Sequence, residues 1–166
     1  MFAKTFEKFS YTSAGISTFL LLGISYYYTT LDINWSLFES KIINGILIFG
    51  ALMLSNYAID TVTRQLTIER SNRNAYHLLL YPLIVMSYPV ESIDMRFILS
   101  SAAIWAAWRN VRIFFELTDN TKKIKRLFDA SMLLSFSSLI IVENLIIFAY
   151  PLLALITSNI KRDFKH

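Results

Sequence analysis

No cysteine occurs in the 166 residues, which excludes disulfides, cysteine-ligated zinc and thiol catalysis. Histidine is nearly as scarce: His77 and His166 are the only two, too few for a haem or metal site within one chain, so neither cofactor nor metal is expected. Charge is thin as well, 17% of residues against 55% hydrophobic, with a mean hydropathy of +0.47. That is more apolar material than a soluble core of this size can bury, and the surplus must face lipid or other membrane helices. The sequence therefore predicts an all-α, polytopic transmembrane bundle in a single domain, residues 1–166. Absent too are an internal repeat and any motif that specifies a reaction. The basic N-terminus, MFAKTFEKF, imitates a signal peptide, yet the apolar run behind it has no small-x-small cleavage site and ends in Tyr26, Tyr27 and Tyr28, so it is read as a retained first helix.

One long polar run is present, Glu116 to Ser131, with Lys122, Lys123, Lys125 and Arg126 clustered inside it. Basic residues close to segment ends stay in the cytoplasm, and this cluster fixes the orientation of the rest. Six membrane segments follow, at about 9–28, 42–59, 75–90, 97–115, 128–141 and 145–160, each weighed against the roughly 20 residues a helix needs to cross. The second is expected to continue as a helix into the polar stretch after Ile59, because Asn56, Asp60 and Arg64 share one face. The third contains Pro82 and Pro89, which leave the carbonyls of Leu78 and Val85 in need of other partners and predict a kinked helix packed on neighbours. As one helix, residues 130–157 would be about 42 Å long and would put Lys161, Arg162 and Lys165 outside. A hairpin broken between Ile141 and Leu145, with Glu143 at the bend, returns them. Fourteen of the sixteen basic residues, all but Lys41 and Arg96, then lie inside, and both termini are cytoplasmic. The net charge of +4 is explained by this placement and by anionic lipid rather than by nucleic acid. Short, kinked segments leave polar groups that lipid cannot satisfy, so other membrane subunits or a homo-oligomer are expected partners.

The run NAYHLLLYPLIV, the arginine pair in WRNVRIFFEL and the stretch KKIKRLFDASMLLSFSSLI resemble an uncharacterised family of polytopic inner-membrane proteins of Bacteroidota, a domain of unknown function. The resemblance covers most of the chain. It implies an N-terminal part of such a protein, or a shortened relative, because members of that family continue with further membrane segments. It also implies a bacterial inner-membrane location, and it brings no activity.

Several residues are candidates for chemistry. Asp32, just after the first segment, sits where polytopic polyprenyl-linked sugar transferases place an acid, and reads either as a general base or as a solvated loop acid. Glu91 and Asp94 could bind a divalent cation or simply be solvated. Arg109 and Arg112, one helical face apart by three, could grip a lipid phosphate. Their alternative is orientation, with Arg112 paired to Glu116. Asp129 could cap the helix that follows the basic run. Glu143 and Asn144 are the only polar pair in the last apolar stretch, and polar groups at membrane depth are often functional. Two functions remain: a non-catalytic membrane subunit or assembly component, and a membrane enzyme acting on a lipid-linked phosphate with Asp32 or Glu91 as base. A transporter ranks behind both, since only Glu143 and Asn144 approach the intramembrane polar sites it needs.

Overall fold

The structure, a computed structural model, describes residues 6, 10–31, 37–66, 75–88 and 94–157, with the side chains of 64–66 left aside. It is all-helical: α1 (Tyr11–Thr30), α2 (Lys41–Leu66), α3 (Tyr76–Ser87), α4 (Met95–Glu116), α5 (Asn120–Ile140), a 3₁₀ segment (Val142–Phe148) and α6 (Ala149–Thr157). Ser10 starts α1 through a capping box: its hydroxyl accepts from Ser13 N at 3.1 Å while Ser13 Oγ accepts from Ser10 N at 3.0 Å. The face that α1 buries is Ser13, Ser17, Leu21, Ile24, Ser25 and Tyr28, spaced three and four apart as one side of a helix requires.

Helices consecutive in sequence run in opposite directions. Along α1 and α2, Ser25 Oγ donates to the carbonyl of Gly45 at 2.7 Å, and Asn56 Nδ2 donates to Ser17 Oγ at 3.0 Å. At Gly45 the packing is tight, since an added Cβ would stand 3.1 Å from Thr29 Cγ2. Small residues at such a crossing let helices approach. Gly45→Leu should therefore wedge α1 from α2 and cost about 2 kcal/mol, while Gly45→Ala is tolerated by a shift of Thr29; thermal unfolding of the purified protein measures both.

Helix α3 returns against α2 and beside α1. The carbonyl of Val85, which Pro89 cannot serve, accepts the Tyr28 hydroxyl at 2.7 Å and Tyr88 N at 3.3 Å. Pro89 itself lies outside the described residues. Helix α4 then runs parallel to α2 and packs on it through Met95, Ile98 and Ala102 against Ile48, Ala51 and Leu52. Its other face, Ala103, Ala106, Ala107 and Val111, is small and buried.

The last third departs from the expected boundaries at its start. The basic stretch is no loop, and α5 begins at Asn120, eight residues before the expected 128. Asp119, not Asp129, is its N-cap, accepting from Thr121 N at 2.9 Å; Asp129 lies inside the helix. The connection to α4 is left with Leu117, Thr118 and Asp119 alone. Helix α5 stops at Ile140, and Ile141 is extended at φ −136°, ψ 107°. The chain then doubles back: Asn144 meets Ser137, and Ala154 packs with Ala130 and Leu134. The break falls at Ile141, and Glu143 sits in the first turn of the 3₁₀ segment rather than at the bend.

Among the described residues, one stretch is both long and apolar enough to cross a membrane by itself, Lys41–Thr63; Tyr76–Ser87 and Val142–Thr157 are apolar but short. In α1 the hydroxyls of its tyrosines, serines and threonines dilute the apolar character, although the segment carries no charge. In α4 and α5 the charges sit toward the helix ends.

Candidate functional site

Charge separates to the two ends of the bundle. Where α2 and α4 finish and α5 begins stand Arg109, Arg112, Lys122, Lys123, Lys125 and Arg126; at the opposite end the described basic residues are Lys41 and Arg96. The basic end is built on the last two turns of α4. Arg109 leans toward α2 and stacks its guanidinium 5.1 Å from the centre of the Tyr57 ring. Arg112 points along its own helix, with Nε 3.6 Å from Glu116 Oε1, an i, i+4 pair whose partners are 33% and 42% exposed. At that exposure the pair contributes a few tenths of a kcal/mol, about 0.2–0.5. The Nε atoms of both arginines are buried and make no hydrogen bond. Buried guanidinium donors without an acceptor are the natural counterpart of a phosphate or carboxylate oxygen.

Helix α5 divides the basic cluster into two kinds of residue. Arg126 turns inward and donates to Asn110 Oδ1 at 3.2 Å, and Asn110 in turn donates to the Ala106 carbonyl at 3.2 Å. Lys123 also faces α4, with Nζ 5.9 Å from the Phe114 ring centre. Lys122 points out, 70% exposed and 3.8 Å from Asp119, and Lys125 is exposed. Asp129 lies 3.9 Å from Arg126. Two of the four cations therefore clamp α5 to α4, and two face outward.

On the other side of α2, His77 Nε2 meets Asp60 Oδ1 at 2.9 Å, with both side chains nearly buried at 13% and 7% exposure. The Asn56 and Asp60 face lies inside the bundle, and α2 continues to Leu66. Sequence spacing placed Asp60 on this face but could not supply its partner, because α3 reaches it only through the tertiary fold. Which atom donates follows the histidine tautomer, and the contact satisfies both side chains.

At the opposite end Asp94 caps α4: its Oδ1 accepts from Arg96 N at 2.9 Å, and Oδ2 from Arg96 Nε at 2.7 Å. This hydrogen bond and the carboxylate's charge push the Arg96 guanidinium above its usual range. Asp94 is thus occupied as a cap and ion-pair partner. Nearby, Ser100 Oγ and Ser137 Oγ share a hydrogen bond of 2.7 Å, and Asn144 Nδ2 donates to both, at 2.5 and 2.9 Å. The polar pair divides here: Asn144 turns inward onto α4 and α5, while Glu143 is exposed. Both line a groove of about 630 Å³ with Arg96 and Ser100. The serines carried no signal in the sequence, since a hydroxyl in an apolar helix ordinarily bonds its own backbone.

Asp32, Glu91 and His166 lie outside the described residues. Among the described residues no group of three or more histidine, aspartate or glutamate side chains could hold a metal ion. Neither a family model, nor a curated protein, nor a solved structure matches the chain.

Proposed function

We propose that the chain is a six-crossing integral membrane subunit of the bacterial inner membrane, non-catalytic, which completes a larger complex as a scaffold or assembly component. The observation that carries this reading is an inverted distribution of polarity. Ser13, Ser17, Ser55, Ser100 and Ser137 are fully buried, with Asn56, Asp60 and Asn110 close behind, while Phe19, Ile42, Leu139, Ile146 and Ile156 are three-quarters exposed or nearly so. Water would reverse that arrangement; lipid favours it, because apolar side chains gain nothing by leaving hydrocarbon and polar groups must find partners inside. The separation of charge supports the orientation, with the basic end and both termini in the cytoplasm.

A protein partner is supported by the 3₁₀ segment. None of its seven residues is buried, and 3₁₀ bonds are poorer in geometry than α-helical ones. Such a backbone at membrane depth is best covered by protein. Whether the cover is a second copy or another subunit, the exposed Leu145, Ile146, Leu152 and Leu153 supply its contact. The resemblance to the Bacteroidota inner-membrane family belongs to this same reading.

A second reading, an enzyme acting on a lipid-linked phosphate, is favoured by the unbonded Nε atoms of Arg109 and Arg112. Both readings place anionic lipid at this face. Purification in native nanodiscs separates them: stoichiometric protein supports the subunit, and stoichiometric polyprenyl phosphate with no protein partner supports the enzyme. Replacing Arg109 and Arg112 together by Gln is expected to lower the anionic lipid retained. Unchanged lipid content by mass spectrometry would leave the arginines with orientation as their only role.

A further inference from the structure

Helices α3 and α4 are consecutive in sequence, yet they scarcely touch. Each packs instead on α2, and the gap between them is a cleft of about 560 Å³. Tyr81 and Tyr88 form one wall, Phe97 and Trp105 the other, and Leu52 of α2 closes the back. Its mouth opens sideways, since Ile84, Tyr88 and Phe97 are all more than half exposed.

We propose that this cleft holds the hydrocarbon chain of one membrane lipid. The chemistry of the walls comes first. Tyr28 spends its hydroxyl on the Val85 carbonyl, and Ser101 Oγ donates to the carbonyl of Ile98 at 2.9 Å. These two hydroxyls are bonded within the protein, and the lining of the cleft is mainly ring and aliphatic surface. Such a surface recognises a chain, not a head group. The volume of about 560 Å³ accommodates an extended methylene or isoprenoid chain along the α4 wall from Phe97 to Trp105, and such a chain enters from the side without unpacking α3 from α2.

The inference rests on the membrane reading above, and one experiment separates the two. Variants carrying a single tryptophan, Trp105 or Trp108, are made by replacing the others with Phe and are reconstituted into phosphatidylcholine vesicles with rising fractions of lipid brominated at mid-chain. Trp108 is exposed and rests edge-on against Tyr150 at 5.0 Å, so it reports bulk bilayer by quenching in proportion to the bromolipid fraction. Trp105 is expected to show an additional phase that saturates at low bromolipid fraction. Ser101→Phe, which fills the cleft, should abolish that phase and leave Trp108 quenching unchanged, whereas Ser101→Ala should keep it. Relief of the phase by added polyprenyl phosphate, but not by unbrominated phospholipid, identifies an isoprenoid chain; relief by both identifies an acyl chain. Proportional quenching of Trp105, or a saturable phase that survives Ser101→Phe, would overturn the site. Absence of quenching at Trp108 would overturn the membrane reading itself.

Discussion

Ser137→Leu should cost about 3 kcal/mol and release the final hairpin from α4. Ser137 is fully buried in the contact of α5 with α4, and its hydroxyl binds both Ser100 and Asn144. Two terms add. Two extra heavy atoms in a closed helix crossing cost about 1–3 kcal/mol by overpacking, and two lost hydrogen bonds cost about 0.5–1.5 kcal/mol each. Because Asn144 is the residue that ties the 3₁₀ segment to both helices, the loss concentrates there. Protease cleavage between Val142 and Tyr150 should rise with the drop in thermal stability, while Ser135→Leu, at an exposed site bonded only to its own helix, should change neither. Equal behaviour of the two variants would deny the serine and asparagine cluster any role in closing the fold.

His77→Leu is expected to cost about as much, roughly 3 kcal/mol, by a different route. Leucine fills the space, so packing is largely kept, but the buried Asp60 carboxylate loses a hydrogen bond of 2.9 Å. Hydrogen bonds to charged groups contribute about 1.5–3 kcal/mol, and a buried acceptor left without its partner costs about 1–3, more when it is charged. Asp60→Asn in the His77→Leu background should recover part of the loss, because a neutral amide is cheaper to bury than a carboxylate. A double-mutant cycle followed by unfolding in mixed micelles measures the coupling. Strictly additive losses would show that the 2.9 Å contact contributes nothing beyond packing.

How far the sequence revealed this arrangement depends on the kind of interaction. Local chemistry was readable. Pro89 announced that the Val85 carbonyl needed a partner, the face shared by Asn56 and Asp60 announced that α2 ran past Ile59, and an apolar run too long for one crossing announced a break near Glu143. The identities of the partners were not readable, because Tyr28, His77 and the Ser100, Ser137 and Asn144 cluster meet only when helices distant in sequence pack together.

The basic stretch shows how a local signal misleads. Its polarity suggested a loop, but Asp119 has the spacing of an N-cap, and Lys123, Arg126 or Leu127, Ala130 and Leu134 recur every three or four residues along the face laid on α4. Periodicity here outweighed composition. The same comparison explains why Arg126 and Lys123 belong to the packing of α4 and α5, whereas the Nε atoms of Arg109 and Arg112 make no hydrogen bond within the fold.

The absence of native cysteine makes the central claim, six crossings with both termini in the cytoplasm, directly measurable. Single cysteines introduced at Glu143 and Lys165 need no background substitutions, and a membrane-impermeant maleimide reads their side in intact spheroplasts. Labelling at Glu143→Cys before permeabilisation and at Lys165→Cys only after it is the predicted result. Labelling of Lys165→Cys in intact spheroplasts would put the basic tail outside and contradict the account.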